Sequence, residues 1–366
     1  MPTVIIKRSS YDYDVLRPHI FSFLDRFAGP SIRPKAAVII KPNFLAPAPP
    51  EKAMLTHPFI VRAAAEYVIM KGARPVISDS QAMGSFEKVL RTGGFLSALE
   101  GLDIEFREFK KITVVDIGEP FGKIDIAGEA LDAEVLINLP KLKTHAQMLL
   151  TLGVKNLFGC IVGLRKPEWH FRTGVDREMF ARLLFRVHAA VNPTVTILDG
   201  ILAMEGQGPG RGGTPRHLGI IMGSNSAVAL DMTVCRILGL PYEDLLTNRV
   251  TDKGLLDNIE IEGDLPKIDD FRLPSITPMI FGPPRLHGFM RRHLLQRPEV
   301  DKTSCMACGA CWKYCPARAI SHDKGKIVFD YEKCIRCYCC IEVCPHGALS
   351  TKETLAGKAV RKILKR

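Results

Sequence analysis

Apolar positions in the first 270 residues follow two spacings. Short, nearly unbroken apolar runs read as buried strands: Ala36–Lys41 (AAVIIK), Pro75–Ser78 (PVIS), Glu134–Leu139 (EVLINL), Thr194–Leu198 (TVTIL) and His217–Met222 (HLGIIM). Between them, apolar residues recur at helical spacing. His57–Lys71 predicts a helix with Thr56 as N-cap, Pro58 in the first turn and Gly72 as the stop. Glu178–Val191 puts Met179, Leu183, Leu184, Val187 and Ala190 along one face. Ser226–Leu238 is a further amphipathic helix, ended by Gly239. Strands alternating with helices predict an α/β fold: a mostly parallel sheet with flanking helices over residues 1–270.

The pattern breaks at residues 271–298, a Pro/Arg-rich linker in which Leu286–Leu295 could form one short basic helix. Nine of the 11 cysteines then fall between Cys305 and Cys344, inside a compact module at 299–350. Residues 351–366 read as a basic amphipathic tail with Ala356, Val360, Ile363 and Leu364 on one side.

The cysteines form two runs. Cys305, Cys308, Cys311 and Cys315 are followed by Pro316, and Cys334, Cys337, Cys340 and Cys344 by Pro345. Three thiolates two residues apart can wrap one face of an iron–sulfur cube, with the fourth arriving from elsewhere. Paired zinc sites also use C-x-x-C, but four regularly spaced cysteines, doubled, with proline after each fourth, favour clusters. Residues 300–350 resemble two-cluster bacterial ferredoxins, a small α+β fold. The resemblance implies two 4Fe-4S clusters and an exchange of fourth ligands. One cluster takes Cys305, Cys308, Cys311 and Cys344; the other takes Cys334, Cys337, Cys340 and Cys315. Cys339 reads as a spare thiol beside its neighbour Cys340.

In open α/β sheets ligands bind beyond the carboxyl ends of the strands. The residues following the predicted strands include Asn43, Asp79, the stretch from Lys141 to His145, Asp199 and the glycine-rich Gly206, Gly208 and Gly210. Lys155, Asn156, Lys166 and His170 lie between them in sequence. Asn138-Leu-Pro-Lys-Leu-Lys-Thr-His145, Thr151-Leu-Gly-Val-Lys-Asn-Leu-Phe-Gly159 and Glu205-Gly-Gln-Gly-Pro-Gly210 resemble motifs of the domain of unknown function 362 family. Members often carry a ferredoxin-like module, and the family name supplies no reaction.

The residues themselves suggest chemistry. Lys141, Lys143, Lys155 and Lys166 could gather a small anionic substrate or a cofactor phosphate, with Asn43, Asn138 and Asn156 adding hydrogen bonds. Gly206, Gly208 and Gly210 would let backbone approach that ligand. They do not satisfy the dinucleotide fingerprint, since no helix opens directly after them. His145, Lys155, His170 and Asp199 are the candidate catalytic groups. Cys160 reads as a small buried residue, and Asp231 as a structural polar contact.

Charge changes one expectation. The net +11 hints at nucleic acid, yet the excess sits in 271–298, with five Arg and no acid, and in 351–366, with six basic residues against one acidic. The body is balanced, so nucleic-acid binding is not expected. No apolar run approaches the ~18–20 residues of a membrane span, and a cytoplasmic location is expected. The leading expectation is an iron–sulfur oxidoreductase in which a substrate or flavin in the α/β domain exchanges electrons with the clusters, served by a redox partner protein. An electron-transfer or scaffold subunit is one alternative. The other is a non-redox acid–base or Mg²⁺-dependent enzyme with structural clusters.

Overall fold

The computed structural model describes residues 1–163, 165–174, 176–251, 258–274, 293, 295–323 and 325–357. The body is built on a ten-stranded sheet. Its strands are β1 (Thr3–Arg8), β2 (Ala37–Pro42), β3 (Arg74–Ile77) and β4 (Glu105–Phe106), then, beyond a separate hairpin of β5 (Ile112–Asp116) and β6 (Lys123–Ala127), β7 (Val135–Leu139), β8 (Lys141–His145), β9 (Leu149–Thr151), β10 (Val195–Gly206), β11 (Gly213–Ser224) and β12 (Glu260–Glu262). The main path runs β12-β1-β11-β10-β7-β2-β3-β4, and β8 branches from β10 to carry β9. Neighbours are parallel except where β11 meets β1 and β10, and where β9 meets β8.

Alternation along β2 shows how the sheet is covered on both faces. Val38 and Ile40 join Leu16, Ile20 and Phe23 of helix Tyr13–Phe27 and Ile60, Ala64 and Val68 of helix Pro58–Met70. Ile39 faces the other way, into a core with Phe180, Leu184 and Val187 of helix Arg177–Val191. Side chains of period two thus feed two cores from one strand. Helix Ala227–Ile237 packs Leu230 and Val234 against Leu198, Ile220 and Met222.

Three local expectations change. The cap of helix Pro58–Met70 is His57, whose Nδ1 accepts from the Phe59 amide, while Thr56 Oγ1 donates to the Leu139 carbonyl. Lys141–His145 is a buried strand, not a ligand-bearing loop. β10 and β11 run well past their apolar runs, because their pairing continues to Gly206 and Gly213.

The cysteine-rich module carries two small hairpins. β13 (Arg297–Val300) pairs with β16 (Leu349–Lys352), and β14 (Ile320–Asp323) with β15 (Lys326–Phe329). The segment expected as linker is therefore occupied at both ends: Phe271 is buried in the body, and Arg297 opens a module strand. The helix expected at Leu286–Leu295 lies outside the described residues apart from His293 and Leu295, and so does the tail beyond Gly357.

Candidate functional site

The module docks on the body through the glycine-rich segment and the β8–β9 turn. Ala146 joins Tyr338, Ile341 and Leu349 in a shared apolar cluster. A Cβ at Gly210 would lie 3.3 Å from the Glu342 carbonyl oxygen, so body backbone rests directly on the module. Thr351 Oγ1 donates to Gln207 Oε1 at 3.0 Å. Gly206, Gly208 and Gly210 do not line the cavity described next; of that segment only Pro209 does. Gly210 meets the module, Gly208 packs on Thr144 of β8, and a Cβ at Gly206 would meet nothing within 4 Å, so none of the three is placed for the expected cofactor role in that cavity.

Between the two parts lies a cavity of about 1210 Å³ counted out to its mouth. The body contributes Asn43, Asp79, Ser80, Lys143, His145, Lys155, Asn156, Lys166 and His170, and the module contributes Tyr314, Cys339, Glu342 and Val343. The fold thus brings together seven of the expected catalytic and cofactor-binding residues, namely Asn43, Lys143, His145, Lys155, Asn156, Lys166 and His170.

A chain of amides fixes one wall. Lys143 Nζ donates to Asn43 Oδ1 and to the Met54 carbonyl, both at 2.6 Å. Asn43 Nδ2 donates to Asn156 Oδ1 at 2.7 Å, and Asn156 Nδ2 to Asn138 Oδ1 at 2.8 Å. Asn138 therefore stands behind the wall, where it also ties to Gly153 O and Thr196 Oγ1. Next to Asn43, where the Phe44 amide donates to Asp79 Oδ2, Lys41 Nζ pairs with Asp79 Oδ1 at 2.8 Å, and Lys166 Nζ donates to Ser80 Oγ at 2.8 Å. A Cβ at Gly159 would collide with both Asp79 and Lys41, so glycine is required there. Burial pushes the neighbouring Cys160 thiol up to about 12, which suits a buried neutral side chain.

His145 reaches across the junction. Its Nδ1 accepts from the Gln147 and Met148 amides at 3.1 and 3.2 Å. The proton must therefore sit on Nε2, which lies 2.9 Å from Glu342 Oε1 but out of line for a straight hydrogen bond. Burial lowers His145 to about 4, so it is neutral near pH 7. With one nitrogen held by amides and the other facing Glu342, His145 positions the module rather than serving as a free base. Burial opposes the Glu342 charge, but its surroundings, with Lys155 as the cation among them, hold its carboxyl below the ordinary range. His170 is lowered to about 3, chiefly by burial, and its Nδ1 is buried without a partner among the described residues.

Burial also depresses the lysines. Lys143 falls to about 7 and Lys166 to about 8, each partly held up by carboxylates, and Lys155 shifts in the same direction. Lys155 makes no hydrogen bond or ion pair among the described residues; its Nζ stands 5.9 Å over the Phe158 ring.

Lys141 and Asp199 lie elsewhere. Lys141 Nζ pairs with Asp199 Oδ2 at 2.7 Å, Tyr11 OH donates to Asp199 Oδ1 at 2.7 Å, and the His57 amide donates to Oδ2 at 2.9 Å. All these groups have partners inside the fold, and neither Lys141 nor Asp199 lines the cavity. Asp231 is likewise internal, accepting from the Gly153 and Val154 amides.

The cysteines gather in two quartets. Cys305, Cys308, Cys311 and Cys344 line one small cavity; Cys315, Cys334, Cys337 and Cys340 line another, each of about 310 Å³. All are free thiols. Among the described residues no three His, Cys, Asp or Glu side chains stand close enough to hold a single metal ion. Thiolates spread around a multi-iron cube are compatible with that spacing, and four cysteines per cavity fit a 4Fe-4S group. Glu342 was not anticipated from the sequence; its one signal was an acid within the Cys340–Cys344 spacer. Cys339 turns out to line the large cavity.

A mostly parallel α/β body carrying two cysteine quartets on a small appended module defines an iron–sulfur protein of the ferredoxin-fusion type. Residues 38–236 match the profile described as Domain of unknown function (DUF362), and residues 304–348 match a 4Fe-4S dicluster domain. The chain belongs to the DUF362 family. It is 35% identical over 303 residues to a Synechocystis sp. protein described as thylakoid-associated, covering 80% of this chain and 94% of that one. Among solved structures, the lactate racemase apoprotein from Thermoanaerobacterium thermosaccharolyticum aligns with a TM-score of 0.38 at 13% identity, over 56% of this chain and 51% of that one. Among the described residues, no helix is long and apolar enough to cross a membrane.

Proposed function

We propose that the chain is an iron–sulfur oxidoreductase whose reacting molecule, a small anionic substrate or a flavin, occupies the junction cavity. The observation that supports this reading is the shared wall. Strand-end residues of the body face Cys339 and Val343, the sequence neighbours of the cluster ligands Cys340 and Cys344. Bound 4Fe-4S clusters supply single electrons at low potential. The chain's own residues hold the ligand against that wall. Lys155 and Lys166 attract its charge, the Asn43–Asn156 pair orients it, and Phe44 and Phe158 exclude water. His170 offers a neutral imidazole at the cavity wall. Met306 is 70% exposed and Cys308 is also exposed, which supports an entry face for an electron donor beside the first quartet.

The test is anaerobic. The cluster-loaded protein is reduced, and its visible absorbance is followed on adding carboxylates, phosphate esters or FMN. Acid extraction of a parallel sample identifies any retained flavin. Reoxidation by one of these compounds, reduced at least about tenfold in Lys155→Met, is expected. Equal reoxidation in wild type and variant would instead favour electrons leaving at the surface, as in a scaffold or electron-transfer subunit.

A further inference from the structure

The lysines of the cavity are unevenly paired. Lys143, Lys155 and Lys166 line it together with Asp79, Glu108 and Glu342, and Lys41 stands behind Asp79. Asp79 is taken up by Lys41 and by the Phe44 and Ser80 amides. Lys143 is bonded only to neutral acceptors, Lys166 to a hydroxyl, and Lys155 to nothing among the described residues. Glu342 faces a neutral imidazole. Glu108, at the rim, is bound to Gln81 and lies 3.4 Å from Lys110. When protonated, these three lysines have no carboxylate at ion-pair distance among the described residues, and Glu342 is the one carboxylate left to offset them, so an excess of two positive charges remains. Buried charge of one sign is costly unless compensated.

Polar atoms in the same wall also lack partners. Among the described residues, Thr151 Oγ1, His170 Nδ1 and Gln81 Oε1 are each buried without a hydrogen bond. Buried polar groups are normally satisfied, so these are places for a ligand or ordered water.

We infer that the cavity takes a compact dianionic group, a phosphate ester or a dicarboxylate, anchored by Lys155 and Lys166. The inference rests on the reading that the reacting molecule binds in this cavity, and it adds the ligand's charge. The linkage has a definite sign. Lys143 faces Lys155, Lys141, Glu342 and Asp79, and Lys166 faces Asp79, Lys41, Cys160 and Glu108. In the free protein these two lysines sit near 7 and 8. A bound dianion raises both. Affinity is then fully present below about pH 7 and declines as pH rises through 8, with protons taken up on binding there.

The experiment is calorimetry on the full-length, cluster-loaded protein at pH 6.5 and 8.5, in buffers of different ionisation heat. The probes are sulfate, succinate and FMN, with acetate as the monoanion control. Sulfate or succinate should bind at least about tenfold more tightly than acetate, with proton uptake at the higher pH and little at the lower. Lys155→Met should weaken dianion binding by about tenfold or more, and Lys155→Arg should restore part of it. Iron content and circular dichroism identify a variant that failed to fold, and Lys166→Met then supplies the same test. Sulfate above succinate points to a phosphate ester, and FMN above sulfate to a flavin phosphate. The reverse order of sulfate and succinate points to a dicarboxylate. Equal binding of acetate, no anion binding, or binding without proton uptake at pH 8.5 overturns the inference. Calorimetry needs no electron transfer, so dianion binding without reoxidation would overturn the redox reading alone.

Discussion

Glu342 and His145 are the residues through which the two parts of the chain meet. Their side chains are 1% and 12% exposed, for His145 and Glu342 respectively, so little water can replace a lost partner. Glu342→Leu removes the oxygen that lies 2.9 Å from His145 Nε2, the acceptor its proton faces although off line. Loss of a buried partner of this kind costs about 1–3 kcal/mol, read as a lower unfolding midpoint of the cluster-loaded protein. Glu342→Gln keeps an acceptor at that place and should recover most of the loss. An unchanged midpoint in Glu342→Leu would remove His145 from the docking role. His145, Lys155 and His170 were legible as candidates because their types and places beside strand ends suggest chemistry. Their roles were not, because a proton's position on His145 depends on two amides and a carboxylate from 197 residues further along the chain.

Among elements, the glycine-rich segment between β10 and β11 changed meaning most. Its composition suggested a ligand loop. In the fold, a side chain at Gly208 would collide with the Thr144 carbonyl, and one at Gly210 would press on the helix Cys339–Glu342. Gly208→Val should therefore lift the segment and loosen the module. Overpacking costs about 1–3 kcal/mol. The expected readout is faster proteolytic cutting between body and module with the body's far-UV signal retained; cutting at the wild-type rate would count against the docking role. β8 carries a similar lesson. Lys141, Lys143 and His145 looked like a polar post-strand loop, and only pairing with β10 and β9 makes the stretch a strand. Lys141 and Lys143 share one face of the strand, but Lys141 ends on Asp199, away from the cavity, whereas Lys143, two residues further along, reaches the wall. Short polar strands have no apolar period to announce them.

At the scale of the molecule, the cysteine quartets link the two runs. Cys344 follows the second run in sequence yet shares a cavity with Cys305, Cys308 and Cys311. Cys344→Ser should then perturb the cluster of the first run, read by paramagnetic resonance of the reduced protein, and leave the other signal in place. Cys339→Ser should retain both. Loss of the second-run signal in Cys344→Ser would refute the exchange of fourth ligands.

The sequence by itself determined the α/β character of the body, the family and the cluster-binding module. Each depends on local spacing: apolar runs, helical periods, and cysteines two and three residues apart. Tertiary structure alone decided that the module closes one side of a cavity, that Asp199 and Lys141 satisfy each other elsewhere, and that Lys155 lacks a partner among the described residues. Burial and charge pairing join residues distant in the chain. Proton affinities and ligand sites follow from that assembly, because the cost of a buried charge depends on its neighbours in space.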